Sequence, residues 1–254
     1  GLPLETLARA PERGTVPSMK IEVWSDIVCP FCYVGKRRLE AALADFPNRN
    51  QVDVVWRSFE LNPDAPSETG EPLDAMLARK YGMGLDEARA ANARVSALAA
   101  EVGLDFQLDQ ARSGNTFDAH RLIHLAAEHG LGDAAKERLL RAYFTEGRAV
   151  GRRDELIALG LELGLPEIDV RAALEGAAYG SAVRADEREA REIGVQGVPF
   201  FVFDRRLAVA GAQPVEVFAQ ALSRAWAERA PKLETVGEAA DAACEGEACA
   251  VPAR

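Results

Sequence analysis

Two cysteines three positions apart, Cys29 and Cys32 in SDIVCPFCYVG (Ser25 to Gly35), carry the most direct chemical potential in this chain. Such a pair can ligate a metal, close a structural disulfide or exchange disulfides with a substrate. The nucleophile in exchange is a thiolate. At the start of a helix a thiol sits among unpaired backbone N–H groups at the positive end of the helix dipole. Its pKa can then fall from ~8.5 into the range ~3.5–7.5. Positions three apart share one helix face, and a disulfide asks for Cα atoms ~4.4–6.8 Å apart. On this reading Cys29 attacks and Cys32 resolves the mixed disulfide. Zinc would need a second pair within reach, and Cys244-x4-Cys249 lacks the spacing of the common ribbons. A purely structural bond across so short a loop adds little chain-entropy stabilisation. Redox chemistry is preferred because of where the motif falls.

The flanking pattern supplies that place. KIEVWSD (Lys20 to Asp26) alternates Ile21 and Val23 with polar partners, a strand by period, with Trp24 as a core residue. Pro30 can open a helix, and Val34, Leu39, Ala42, Leu43 and Phe46 give it an apolar face ending near Pro47. QVDVVWRSF (Gln51 to Phe59) is a second strand containing Trp56, so strand, helix and strand form a βαβ unit with parallel strands. After the turn-rich stretch Leu61 to Pro72, Ala-, Leu- and Arg-rich helical segments follow to about Ile193, punctuated by Gly or Pro. Val198 to Asp204 and Arg206 to Gly211 read as a hairpin around a tight Asp204–Arg205 turn. Pro214 opens a last helix with Val215, Phe218, Leu222 and Trp226 on one face.

The order is β-α-β, a helical block, then β-β-α. This is an α/β, thioredoxin-like arrangement with a large α-helical insertion. Residues 19–65 and 194–230 would form the thioredoxin-like domain, 66–193 the insertion, and 231–254 a flexible tail. Residues 1–18 have no apolar signal-peptide core and read as a leader or cloning remnant, with Met19 a plausible start.

GVQGVPFFVF (Gly194 to Phe203) places Pro199 just before a strand core, where a residue without an N–H is unsuited to the ladder. A cis Val198–Pro199 bond, exposing a backbone edge to an extended substrate, and a plain loop proline fit equally well. His120 and His124 stand four apart on one helix, as in H-E-x-x-H, but Arg121 occupies the glutamate position and no third ligand is evident. Packing or hydrogen bonding of His120 near the redox pair is the simpler reading. Asp26 could raise the pKa of a nearby thiol, although a hydrogen-bonding turn or cap role is preferred.

SDIVCPFCYVGKRRLE, NTFDAHRLIHLAAEHG (Asn115 to Gly130) and GVQGVPFFVF together resemble the FrnE group of the DsbA-like thiol–disulfide oxidoreductases, from about Lys20 to Arg229. That resemblance implies a thioredoxin fold with a helical insertion, Cys29 and Cys32 as the redox pair, and Pro199 as a cis-proline facing them. The related 2-hydroxychromene-2-carboxylate isomerases share the scaffold but carry a serine-type, glutathione-dependent site. Both cysteines are present here, which favours dithiol chemistry.

Cys244 and Cys249, in CEGEAC, form a second local pair whose thiols Glu245 and Glu247 should make less acidic. They are expected to act as an auxiliary dithiol exchanging with the first pair. Four cysteines in 254 residues are too few for a disulfide scaffold, and with no signal-peptide core before Met19 a cytoplasmic location is expected. A net charge of −10 argues against nucleic-acid partners, and no apolar run reaches membrane-spanning length. The expected function is oxidation, reduction or isomerisation of disulfide-containing protein substrates, without cofactor or metal, with glutathione or thioredoxin as electron partner. The rivals are a glutathione-dependent isomerase of small aromatic compounds and a non-catalytic, zinc-stabilised chaperone.

Overall fold

β1 (Met19–Ser25) is buried at every position but Lys20, which is the signature of a strand covered on both faces. A computed structural model of the protein, which describes residues 18–229, places it inside a four-stranded sheet. α1 (Pro30–Ala44) crosses over to β2 (Val52–Ser58), which pairs parallel to β1 with Val23 opposite Trp56. β3 (Phe200–Phe203) pairs antiparallel on the other side, with Val23 opposite Phe201, and β4 (Leu207–Ala210) closes the edge. The order is β2-β1-β3-β4, as the β-α-β and β-β-α halves require.

The Asp204–Arg205 turn is tight. Both residues have positive φ, 46° and 57°, and the Arg206 N–H donates to the Phe203 carbonyl at 3.0 Å. That backbone matches the right-handed twist of the flanking strands. β3 begins at Phe200 rather than Val198. Pro199 contributes no N–H to the ladder, and its carbonyl accepts from the Gly211 N–H at 2.8 Å.

Seven helices lie between β2 and β3: α2 (Leu73–Tyr81), α3 (Leu85–Ala100), α4 (Phe117–Glu128), α5 (Gly132–Phe144), α6 (Arg153–Glu162), α7 (Glu167–Glu175) and α8 (Gly180–Glu192). α9 (Val215–Ala227) follows β4. Ile21, Val23, Phe201 and Phe203 pack with Leu39 of α1 and with Phe218 and Leu222 of α9. Trp24 and Val202, on the alternate positions, meet Ala190 of α8. The Trp24 indole N–H donates to the Asp186 carbonyl at 2.9 Å, satisfying the polar atom of a fully buried ring.

The same cluster of buried side chains that holds β1, α1 and α9 continues through Leu122, Leu139 and Phe144 of the inserted helices. Tyr33 of α1 stacks on Phe106 with ring centroids 5.9 Å apart, and Phe106 stacks on Phe144 at 4.5 Å. The Tyr33 hydroxyl donates to Glu137 at 2.6 Å, and the Trp56 indole N–H donates to Asp133 at 2.9 Å. The first turn of α1 and the strand β2 are therefore both tied to α5, which fixes α5 against the cysteines.

At Gly35 α1 comes close to Pro199 and to β3. A Cβ there would lie 3.1 Å from both Phe201 Cζ and Pro199 Cγ. Gly35→Val overfills this contact, so its denaturation midpoint should fall by the equivalent of ~1–3 kcal/mol. Stability retained at the parent level would show that the close approach is not needed.

Candidate functional site

Cys29 is the residue immediately before α1, with extended backbone (φ −92°, ψ 113°), and Pro30 occupies the first turn. No side chain caps this helix end. The first-turn N–H groups are thus left facing the Cys29 sulfur, and the Cys32 N–H donates to the Cys29 carbonyl at 3.0 Å. Both cysteines are free thiols. Both cysteines are buried, Cys29 at 5% exposure and Cys32 at 1%, and Phe31, which stands between them next to Pro30, is half-exposed.

The two thiols differ in acidity. A hydrogen bond from the Cys32 thiol, with the N–H groups of Cys32 and Phe31, holds the Cys29 pKa below the ordinary thiol value against burial and the Asp26 charge. Burial, with the hydrogen bond and charge of Cys29, pushes Cys32 well above it. One sulfur is prepared as a thiolate and its neighbour as a thiol.

The Val198–Pro199 peptide is cis, and the Val198 carbonyl lies 3.5 Å from Cys29 Sγ. The sequence placed Cys29, Cys32, Val198 and Pro199 in one candidate site, and the fold brings the four together. Cys244 and Cys249 lie outside the described residues.

Beneath the pair is a buried polar layer. Asp26, fully buried, accepts from the Ile27 N–H at 2.7 Å and the Leu61 N–H at 2.8 Å. Burial disfavours its charge, but contacts from His120, the Leu61 N–H and Thr116 outweigh it and keep the carboxyl below the usual range. Asp26 therefore serves both roles weighed from sequence, fastening the turn and opposing ionisation of Cys29. His120, 1% exposed, faces Asp26 Oδ1 across 3.4 Å without hydrogen-bond geometry. Burial pushes its pKa down, favouring the neutral imidazole.

His124 turns instead to Ser58 and Asp186, each at 3.1 Å, and His129 to Asp169 at 3.7 Å. The three histidines thus have three different acidic partners. Among the described residues no group of three or more His, Cys, Asp or Glu side chains is placed to hold a metal ion. Lys136 of α5, 1% exposed, completes the layer. The sequence reading passed over it, because a lysine amid Glu and Arg on a helix reads as a solvated face.

A reduced or free CxxC dithiol at the start of the first helix of a thioredoxin-like sheet defines a thioredoxin-fold protein of the dithiol type. Residues 20–223 match the pattern of a DsbA-like thioredoxin domain, and the chain belongs to that family of thiol–disulfide oxidoreductases. It is similar to the crystal structure of a probable DsbA oxidoreductase of Streptomyces coelicolor, with 48% identity over 92% of this chain and all of that one, at TM-score 0.80. An uncharacterised protein of Bacillus subtilis, YwbO, is 29% identical over 81% of this chain and 96% of its own length. A 2-hydroxychromene-2-carboxylate isomerase, 16% identical, shares the fold at TM-score 0.64, with 83% of this chain and 98% of that one covered. No described helix is long and apolar enough to cross a membrane.

Asp26→Asn presents an amide nitrogen to one of two buried N–H donors and leaves that donor unsatisfied, a cost of ~1–3 kcal/mol. Asp26 is depressed in the folded state, so its contribution is present above the unfolded carboxyl value and is lost as pH falls through the folded value. Urea midpoints of parent and variant should therefore differ at neutrality and converge in acid. Parallel curves at all pH values would contradict the ionised Asp26.

Proposed function

We propose that this protein is a FrnE-type thiol–disulfide oxidoreductase and isomerase acting on protein disulfides in the cytoplasm. Cys29 is the nucleophile, Cys32 the resolver, and Val198–Pro199 the backbone edge that receives the substrate. The observation that carries the reading is the place of the Cys29 sulfur, immediately before the uncapped start of α1 and with its thiol donating to the Val198 carbonyl at 3.5 Å. A substrate disulfide laid along that edge would meet Cys29, the cysteine that lies against the Val198 carbonyl.

The Cys29 thiolate attacks one substrate sulfur, and the other departs as a thiolate that takes up a proton. The enzyme is then joined to substrate through Cys29. Cys32 attacks Cys29 Sγ and releases the second substrate thiol, leaving a Cys29–Cys32 disulfide. Isomerisation follows when a substrate thiol, rather than Cys32, attacks the mixed disulfide. Glutathione or thioredoxin is the proposed electron partner. The Cys244/Cys249 pair is proposed as an auxiliary dithiol that exchanges with Cys29/Cys32 through the effective concentration of a tether.

Turnover of scrambled ribonuclease tests this beside a 2-hydroxychromene-2-carboxylate substrate. Cys29→Ser should reduce ribonuclease turnover to background, and Cys32→Ser should accumulate mixed disulfides that a reductant releases. Unchanged turnover in Cys29→Ser would overturn the assignment, as would chromene isomerisation with no disulfide exchange. Cys244→Ser with Cys249→Ser should slow recycling of the oxidised pair, and an unaltered redox state would remove the tail from the mechanism.

A further inference from the structure

GKRRLE (Gly35 to Glu40) puts three cations in a row on α1, and the fold sends them to different places. Lys36 faces Glu40 on its own helix, and Asp133 at 3.3 Å and Glu137 at 3.2 Å on α5. Arg37 donates to Glu40 at 2.7 Å and to Glu137 at 3.0 Å. These two bind carboxylates and fasten α1 to α5. Arg38, half-buried, turns to the other side of the helix. Its Nη1 donates to the Ala212 carbonyl at 2.6 Å, in the turn that joins β4 to α9, 174 residues along the chain. A guanidinium spent on one main-chain carbonyl asks what that turn has to hold.

The turn adjoins the Val198–Pro199 edge. The Gly211 N–H donates to the Pro199 carbonyl at 2.8 Å, so the residue next to Ala212 is the one that grips Pro199. Gly211 has a φ of 77°, which lets the chain reverse there. Within the turn the Gln213 N–H donates to the Gly211 carbonyl at 3.0 Å, and the Gln213 side-chain amide to the Ala210 carbonyl at 2.9 Å. These short-range bonds shape the turn without anchoring it. The bonds from Gly211 to Pro199 and from Arg38 to Ala212 tie it to its surroundings. Gly35 lies three residues before Arg38 on the same helix face, and a Cβ at Gly35 would stand 3.1 Å from Pro199 Cγ. α1 thus meets the edge twice, directly at Gly35 and through the turn at Arg38.

We propose that Arg38 is a positioning residue for substrate binding: it latches the β4–α9 turn and, through Gly211, holds the Val198–Pro199 edge in the place where an extended substrate segment meets Cys29. The inference rests on the disulfide-exchange reading of that edge. Arg38 touches neither substrate nor sulfur, and none of its bonds changes during exchange. Its contribution is to order the edge before the substrate arrives. Hydrogen bonds from a charged donor are shorter and stronger than neutral ones, and a half-buried carbonyl that loses such a donor leaves its turn free to shift. An edge that must be ordered at the moment of binding lowers substrate affinity. The acidity of Cys29 is set elsewhere, by donors at the start of α1.

Arg38→Met keeps the stem and removes the donor. With scrambled ribonuclease its KM should rise about tenfold while kcat stays within about twofold of the parent. The pH midpoint of Cys29 alkylation should not move. Arg38→Lys keeps a cationic donor and should hold KM within about threefold of the parent. A second readout needs no substrate: the Gly211 amide should exchange its hydrogen about tenfold faster in Arg38→Met, with the amides of β1 at parental rates. A parental KM or parental Gly211 exchange in folded Arg38→Met would overturn the inference. So would a shifted Cys29 midpoint, because Arg38 would then act on the sulfur rather than on the edge. If Arg38→Met does not fold, Arg38→Gln, an uncharged donor on a shorter stem, takes its place and the same results decide. Failure of the exchange reading would appear instead as retained ribonuclease turnover in Cys29→Ser, which the Gly211 measurement does not depend on.

Discussion

The structure depends on one electrostatic arrangement: a sulfur held against the uncapped beginning of a helix, where donors outweigh burial. Cys29 gains a thiol donor from Cys32 and N–H donors from Cys32 and Phe31, and it pays for them in desolvation and in the nearness of Asp26. Moving the cysteine one residue into the helix would put its side chain along the helix wall rather than before the first N–H groups. The extended backbone at residue 29 and the proline at residue 30 set that boundary.

The rest of the fold fixes what surrounds this sulfur. β1 delivers the chain to the start of α1 from the middle of the sheet, and β3 begins beside it just after Pro199. Gly35 lets α1 approach Pro199 and Phe201, so the helix carrying the cysteines and the segment carrying the Val198 carbonyl share one contact. The inserted helices contribute from below: α4 brings His120 and α5 brings Lys136 to a layer that the sheet alone could not furnish. The acidity of the site is therefore a property of both parts of the chain, joined by a continuous apolar interior.

Much of this was legible in the sequence because it is local. Cys29, Pro30 and Cys32 lie within one helical turn, and the apolar periods of 20–26 and 51–59 marked the two parallel strands within a residue or two. At Val198 and Pro199 the missing proline N–H ahead of a strand left a cis bond and a plain loop equally open, and only the family resemblance set them facing the cysteines. The polar layer was not legible, because it is assembled across long separations. Leu61 reaches Asp26 from 35 residues away and Lys136 reaches Ser25 from 111. Nothing in GDAAKERLL distinguishes a buried lysine from a solvated one. Burial is decided by how α5 seats on Trp56, which helical periodicity does not report.

The most direct test is the pH dependence of Cys29 alkylation in reduced protein, followed by mass spectrometry of the modified cysteine. The account predicts that Cys29 reacts selectively, with a midpoint below the ordinary thiol value of about 8.5, and that Cys32 stays unmodified through the same range. A Cys29 midpoint at or above that value, or equal reaction of both sulfurs, would contradict it.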